Sequence, residues 1–220
     1  MKISLTNAGK RFNREWIFRK VDYQFIEGNS YAITGPNGSG KSTLLQAIGG
    51  AIALSEGEAT YSIEAPAIQS TQTNPTKKSH QVETDHAFRQ IAIAAPYLEL
   101  IEEMSVTEFL HFHQQFKPFL SQLTIPQIIE TVGLTKAAHK QIRFYSSGMK
   151  QRVKLAQAIF SNVSCLLLDE PCTNLDAEGI ALYQRLISAY GGGRLIIVSS
   201  NDPQEYSFCE SRISILDYKS

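Results

Sequence analysis

Nine consecutive residues, Gly35-Pro36-Asn37-Gly38-Ser39-Gly40-Lys41-Ser42-Thr43, carry the clearest chemistry in the chain. They fit the pattern G-x-x-x-x-G-K-[ST], a loop suited to hold a polyphosphate. Glycines let backbone N–H groups curl around phosphate oxygens with no Cβ in the way. Lys41 places a point charge on the outer phosphates, and the Ser42 hydroxyl is the expected ligand of Mg²⁺. The expected nucleotide contacts from this loop are Gly35, Asn37, Gly38, Ser39, Gly40, Lys41, Ser42 and Thr43.

A second group of reactive residues is Cys165-Leu166-Leu167-Leu168-Asp169-Glu170. Apolar residues running into two acids describe a buried parallel strand that ends at a site. Alone, the same letters fit a strand followed by a solvated acidic turn. Behind a phosphate loop they read as chemistry: Asp169 as a Mg²⁺ ligand, direct or through water, and Glu170 as the group that polarises attacking water. A third group is Tyr145-Ser146-Ser147-Gly148-Met149-Lys150-Gln151-Arg152. Its small polar residues precede a helical pattern over 149–160, and such a helix start is another anion site.

Positioning these groups requires strands that feed loops. Ser30–Thr34 reads as a short strand entering the phosphate loop, and Lys41–Ile48 as the helix leaving it, stopped by Gly49-Gly50. Residues 2–6 alternate polar and apolar side chains, as do Val21, Tyr23 and Phe25 with Asp22 and Gln24, so a β-rich layer precedes the loop. Residues 59–63 and 89–95 read as further strands. Between them residues 69–86 are polar and aperiodic and are expected to form a long surface loop. From Pro96 to Lys140 the pattern turns helical. Phe109, Phe112 and Phe116 fall on one helical face that Pro118 ends, and they are expected to pack inward as core, with contact to a partner as the alternative. Residues 125–132 repeat the helical pattern up to Gly133. His111 and His113 are two apart and cannot share a helix face as a metal pair.

Composition narrows the function classes. Lys plus Arg and Asp plus Glu both number 21, which gives no global basic field for nucleic acid. No apolar run approaches the roughly 18 residues that span a bilayer, and the first residues lack a signal-peptide core. The expectation is a cytosolic chain. Cys165, Cys172 and Cys209 show no metal spacing, so reduced thiols are expected, with Cys165 as core packing.

Taken together, the motifs resemble those of ATP-binding cassette (ABC) ATPases, over nearly the whole chain. The 145–152 segment is similar to the family's L-S-G-G-Q signature, with Tyr145 for Leu, Ser147 for the first Gly and Met149 for Gln. Asp169-Glu170-Pro171 looks like the Walker B end, and Thr173-Asn174-Leu175-Asp176 like the D-loop. The resemblance implies an α/β fold: a P-loop core with an antiparallel β layer and an inserted helical subdomain. One domain would span residues 1–220, with 1–95 and 161–220 as core and 96–160 as helical subdomain and signature helix. It implies a head-to-tail pair of cassettes, either a homodimer or a pairing with another cassette. Glu170 would be catalytic, Ser42 and Asp169 would hold Mg²⁺, and Ser146, Ser147 and Gly148 would act in trans, with Asp176 in the D-loop. An aromatic near the N-terminus would stack on adenine. Phe12 matches, Trp16 competes, and Phe12 as plain core is the alternative.

Two positions depart from the family pattern. Pro96 stands where the family places a Gln, Gln90 lies at the wrong end of the strand to replace it, and Glu99 is another candidate to approach the site. Asn201 stands where the family has a switch His. It can hydrogen-bond a γ-phosphate but cannot carry a proton at neutral pH. Asp202 and Pro203 still suit the start of a helix. The first expected function is the ATPase subunit of a membrane transporter of exporter type, peripheral on the inner face through separate transmembrane subunits. A weakly hydrolysing nucleotide-binding regulator and a soluble cassette protein on ribosome or DNA are the alternatives.

Overall fold

The alternating N-terminal residues extend further than their pattern alone predicts. In the computed structural model, which describes residues 1–64, 79–82 and 87–219, β1 (Lys2–Phe12) turns through Asn13 into β2 (Glu15–Ile26), antiparallel, with Phe12 opposite Glu15. β1 also pairs with β4 (Glu56–Glu64), and β4 with β5 (Ser79–Val82), giving the antiparallel order β2-β1-β4-β5. Part of the expected 69–86 loop is therefore a strand: residues 79–82 are held by the β4 edge, whose ladder groups overcome a polar local sequence. Residues 69–78 and 83–86 lie outside the described residues.

The second sheet is parallel, in the order β6-β7-β8-β3-β9. Its strands are β3 (Ser30–Thr34), β6 (Ile91–Ala94), β7 (Cys165–Asp169), β8 (Leu195–Ser199) and β9 (Ser211–Ser214). β6 is shorter than expected because residues 88–90 coil into a 3-10 turn, with Gln90 before the strand. β7 and β8 are buried at every residue, as central strands covered on both faces must be. The period of two divides their side chains. Cys165, Leu167, Leu195 and Ile197 pack with α1 (Lys41–Ile48) and the β1–β2 layer. Leu166, Leu168, Ile196 and Val198 pack with α4 (Ser147–Ile159) and α5 (Ala177–Tyr190). Burial pushes the Cys165 thiol pKa far up, so this cysteine is an apolar core residue.

Between β6 and α4 lie two short helices, α2 (Val106–His113) and α3 (Ile125–Thr131). Both start on capping boxes, Ser105 with Glu108 and Thr124 with Gln127, which satisfy end N–H groups that short helices cannot leave bare. The phenylalanine stripe is only partly core. Phe109 is 6 % exposed, but Phe112 is 43 % and Phe116 69 % exposed. The reason is that α2 ends at His113, well before Pro118, so Phe116 leaves the helical face and pairs edge-on with Phe112 at the surface. The signature helix also begins earlier than expected, at Ser147. A last short helix, α6 (Pro203–Tyr206), starts on Asp202 with Pro203 in its first turn, as expected. Among the described residues no helix is long and apolar enough to cross a membrane.

Candidate active site

The carboxyl ends of β3, β7 and β8 open on one edge of the parallel sheet, and three of the candidate groups leave from there. After β3 the chain forms the phosphate loop. Gly40 is the N-cap of α1 in the left-handed region (φ 102°), where a Cβ would come 2.3 Å from the Ile17 side chain, so only glycine fits. It offers no capping side chain, and the first turn of α1 holds no acid. The helix start therefore keeps its N–H groups and its positive dipole end for a ligand anion. Lys41 is buried, and its Nζ donates to the carbonyls of Gly35 (2.9 Å) and Pro36 (3.2 Å). The ammonium is thus folded over the loop. Ser39 Oγ is buried with no hydrogen-bond partner among the described residues. Ser42 and Thr43 follow in the first turn of α1.

At the end of β7, Asp169 is buried and its Oδ1 likewise has no partner among the described residues. Glu170 turns the chain sharply, with φ 41°, and its N–H donates to the Ser199 carbonyl at 2.9 Å. A non-glycine residue in this region is strained, and such strain concentrates at functional sites. At the end of β8, Asn201 Nδ2 donates to Asn37 Oδ1 at 3.1 Å, which ties it directly to the phosphate loop. A glycine cradle, a folded lysine and an unsatisfied buried hydroxyl fit a polyphosphate. The Ser42 hydroxyl and the Asp169 carboxylate are hard oxygen donors of the kind Mg²⁺ takes.

Other expected residues fall elsewhere. Phe12 is 50 % exposed beside Lys10 Nζ, which removes the reading of Phe12 as core. Trp16 already carries the Arg19 guanidinium at 4.4 Å from its ring. Pro96 presents its carbonyl to Lys154 Nζ at 2.6 Å. Glu99 lines a cavity of about 370 Å³ with Leu100, Lys150 and Lys154. Ser146 caps α4 by accepting from Met149 N–H, and a Cβ on Gly148 would meet the Asn174 carbonyl at 3.0 Å. Asp176 caps α5 through Gly179 N–H at 2.8 Å. Together Ser146, Ser147, Gly148, Asn174 and Asp176 border a cavity of about 360 Å³ to which no phosphate-loop residue contributes.

Sequence reasoning missed the residues that brace the turn after Glu170. Gln151 of α4 donates from a buried amide to the Pro171 carbonyl at 2.7 Å. Buried Glu205 accepts from Cys172 N–H at 2.6 Å, and burial pushes its carboxyl pKa upward. A Gln in a helix and a Glu in a helical first turn look solvated in sequence. Only their tertiary partners reveal otherwise.

The profile of the ABC transporter family matches residues 18–173, which is most of the chain. This chain belongs to the ABC transporter family. It is similar to the uncharacterized ABC transporter ATP-binding protein YybJ of Bacillus subtilis, 29 % identical over 94 % of this chain and 89 % of that protein. It is also similar to the cytochrome c biogenesis ATP-binding export protein CcmA of Xylella fastidiosa, 31 % identical over 85 % of this chain and 78 % of that protein. The ATP-binding subunit of an ABC transporter has the same fold, with a TM-score of 0.78 at 21 % identity, covering 97 % of this chain and 85 % of that one. As an ABC transporter ATP-binding subunit, the chain is an ATPase. Its mixed α/β fold, one parallel and one antiparallel sheet, is that of the family's cassettes.

Proposed function

We propose that this ABC ATP-binding subunit drives an exporter-type transporter through an ATP-dependent head-to-tail pair of cassettes. The observation that carries this reading is the separation of the two anion-binding helix starts. The phosphate loop at α1 and the cavity at the start of α4 share no lining residue. Facing copies would bring one chain's α4 start to the other chain's phosphate loop, so that two helix dipoles converge on one polyanion.

In this reading Gly35, Asn37, Gly38, Ser39, Gly40, Lys41, Ser42 and Thr43 cradle the phosphates, and Phe12 offers its exposed ring to adenine. Ser42 and Asp169 would hold Mg²⁺, which neutralises charge between the outer phosphates. Glu170 orients the attacking water and draws on its proton, held in place by its bond to the Ser199 backbone. Asn201 donates toward the outer phosphate from its seat on Asn37. Ser146, Ser147 and Gly148 of the facing cassette complete the site, and Asp176 holds the D-loop beside them. Phosphoryl transfer depends mainly on positioning and charge, so hydrolysis proceeds, but slowly, because Asn201 cannot take a proton. Separate transmembrane subunits would choose the cargo and hold the chain at the cytoplasmic face. The export function named for the Xylella fastidiosa relative supports the direction.

The test is Glu170→Gln. This variant should bind ATP, lose turnover and accumulate as a dimer at saturating ATP with Mg²⁺. A monomer by light scattering under those conditions rejects the paired-cassette reading.

A further inference from the structure

Glu170 heads a turn that side chains from outside its own motif hold residue by residue. Its backbone lies in the left-handed region, φ 41°, which is strained for a glutamate. Strain of this kind persists only where the surroundings over-determine it. Within the turn, Thr173 N–H donates to the Glu170 carbonyl at 3.0 Å and Leu175 N–H to the Cys172 carbonyl at 2.9 Å. These local bonds close the turn without fixing where it points. Its direction is set from two sides.

On one side stands α4. Gln151 is 2 % exposed, and its amide Nε2 donates to the Pro171 carbonyl at 2.7 Å. Gly148 lies three residues earlier on the same helix face, and there the Asn174 carbonyl comes so near that a Cβ would meet it at 3.0 Å. The face of α4 just after its Ser146 cap therefore lies against the turn at two points. On the other side stands the chain leaving β8. Glu205 of α6 is 4 % exposed, and its Oε1 accepts from Cys172 N–H at 2.6 Å. The Glu205 carbonyl in turn accepts from the buried Tyr183 hydroxyl of α5 at 2.8 Å, so the anchor is itself held. Glu170 N–H reaches the Ser199 carbonyl at the end of β8. Glu170, Pro171 and Cys172 are thus bonded in succession to β8, α4 and α6. A buried amide and a buried carboxyl each cost desolvation that apolar side chains of the same size would not. What the polar groups add is a fixed direction for the backbone they hold.

We propose that Gln151 and Glu205 are positioning residues for ATP hydrolysis, clamping the strained turn from opposite sides so that the Glu170 carboxylate faces the attacking water. This rests on the reading of Glu170 as the water-orienting residue and deepens it. Each acts through the backbone of the residue it holds, at Pro171 and at Cys172, and needs no contact with nucleotide. A small rotation at either point swings the Glu170 carboxylate, and a misplacement of about 1 Å can cost roughly 100-fold in rate.

The test is a double-mutant cycle in steady-state ATP hydrolysis by the full chain, with Mg·ATP affinity from isothermal titration and the unfolding midpoint measured for each variant. Gln151→Met keeps the length of the side chain and removes its donor. Turnover should fall about tenfold, the scale of one buried hydrogen bond, while KM and ATP affinity stay within about twofold. Glu205→Ala should also lose about tenfold, and Glu205→Gln, which keeps an acceptor of the same shape without the charge, only about threefold. Placed on top of Glu170→Gln, either clamp substitution should cost nothing further, because the residue it positions is gone. Equal loss with and without Glu170, a loss of ATP affinity that matches the loss of turnover, or full turnover in both Gln151→Met and Glu205→Ala overturns the proposal. If Gln151→Met does not fold, the Glu205 variants complete the same cycle. If Glu170→Gln keeps full turnover, the reading of Glu170 itself fails. If Glu170→Gln loses turnover and the clamp variants keep it, only the clamp fails.

Discussion

The starts of α1 and α4 are both helix N-termini next to glycine, yet the chain finishes them differently. At α1 the N-cap is Gly40, left-handed and without a capping side chain, and Lys41 is folded back over the loop. At α4 the N-cap is Ser146, whose hydroxyl already accepts a helix N–H, and the neighbouring space is shared with Asn174 and Asp176 of the D-loop. The first end has no side chain capping its N–H groups and carries Lys41 in its first turn. The second satisfies part of its hydrogen bonding internally and offers a smaller remainder. The difference teaches that α1 can hold a polyphosphate by itself, whereas α4 suits a ligand already held by another surface.

Substitutions at the two ends should therefore fail in different ways. The largest effect is expected from Lys41→Ala. It removes the only cation in the loop and the ammonium that bridges the Gly35 and Pro36 carbonyls, so ATP binding to the monomer should fall by about 100-fold or more. Isothermal titration with Mg·ATP measures this, and retention of affinity would erase the distinction between the two helix starts. The next effect belongs to α4. Gly148→Asp puts a negative charge at that end and pushes a Cβ toward the Asn174 carbonyl, 3.0 Å away in the present geometry. Turnover should drop by about 100-fold while monomer affinity for ATP stays within about twofold. Loss of monomer binding would mean that α4 serves its own chain's nucleotide. The smallest effect is expected from Asn201→Ala, which deletes one side-chain bond to Asn37 and should weaken ATP binding by about fivefold, worth about 1 kcal/mol. An effect as large as that of Lys41→Ala would show that Asn201 does more than steady the loop.

Much of this site was legible in the residues because its parts are local. The phosphate loop needs left-handed backbone at fixed steps and a charge just inside a helix, and those demands are written in Gly38, Gly40 and Lys41. The buried strand β7 was legible because a short apolar run leading into two acids, behind a phosphate loop, suits a strand covered on both faces. Phe112 and Phe116 were misjudged because periodicity identifies a face but not what lies against it. The early end of α2 then left Phe116 off that face. The strand at 79–82 was missed because its stability comes from β4, which is remote from the local composition.

The sequence by itself determined the phosphate loop, the acidic end of β7, the serine-glycine start of α4 and the family they mark together. Each depends on interactions within a few residues, where side-chain type and spacing dictate the backbone. Tertiary structure alone decided that Asn201 rests on Asn37 and that Gln151 and Glu205 brace the turn after Glu170. Those contacts join residues from tens to more than a hundred positions apart. Their energies depend on which strands end side by side, and no local pattern of side chains encodes that.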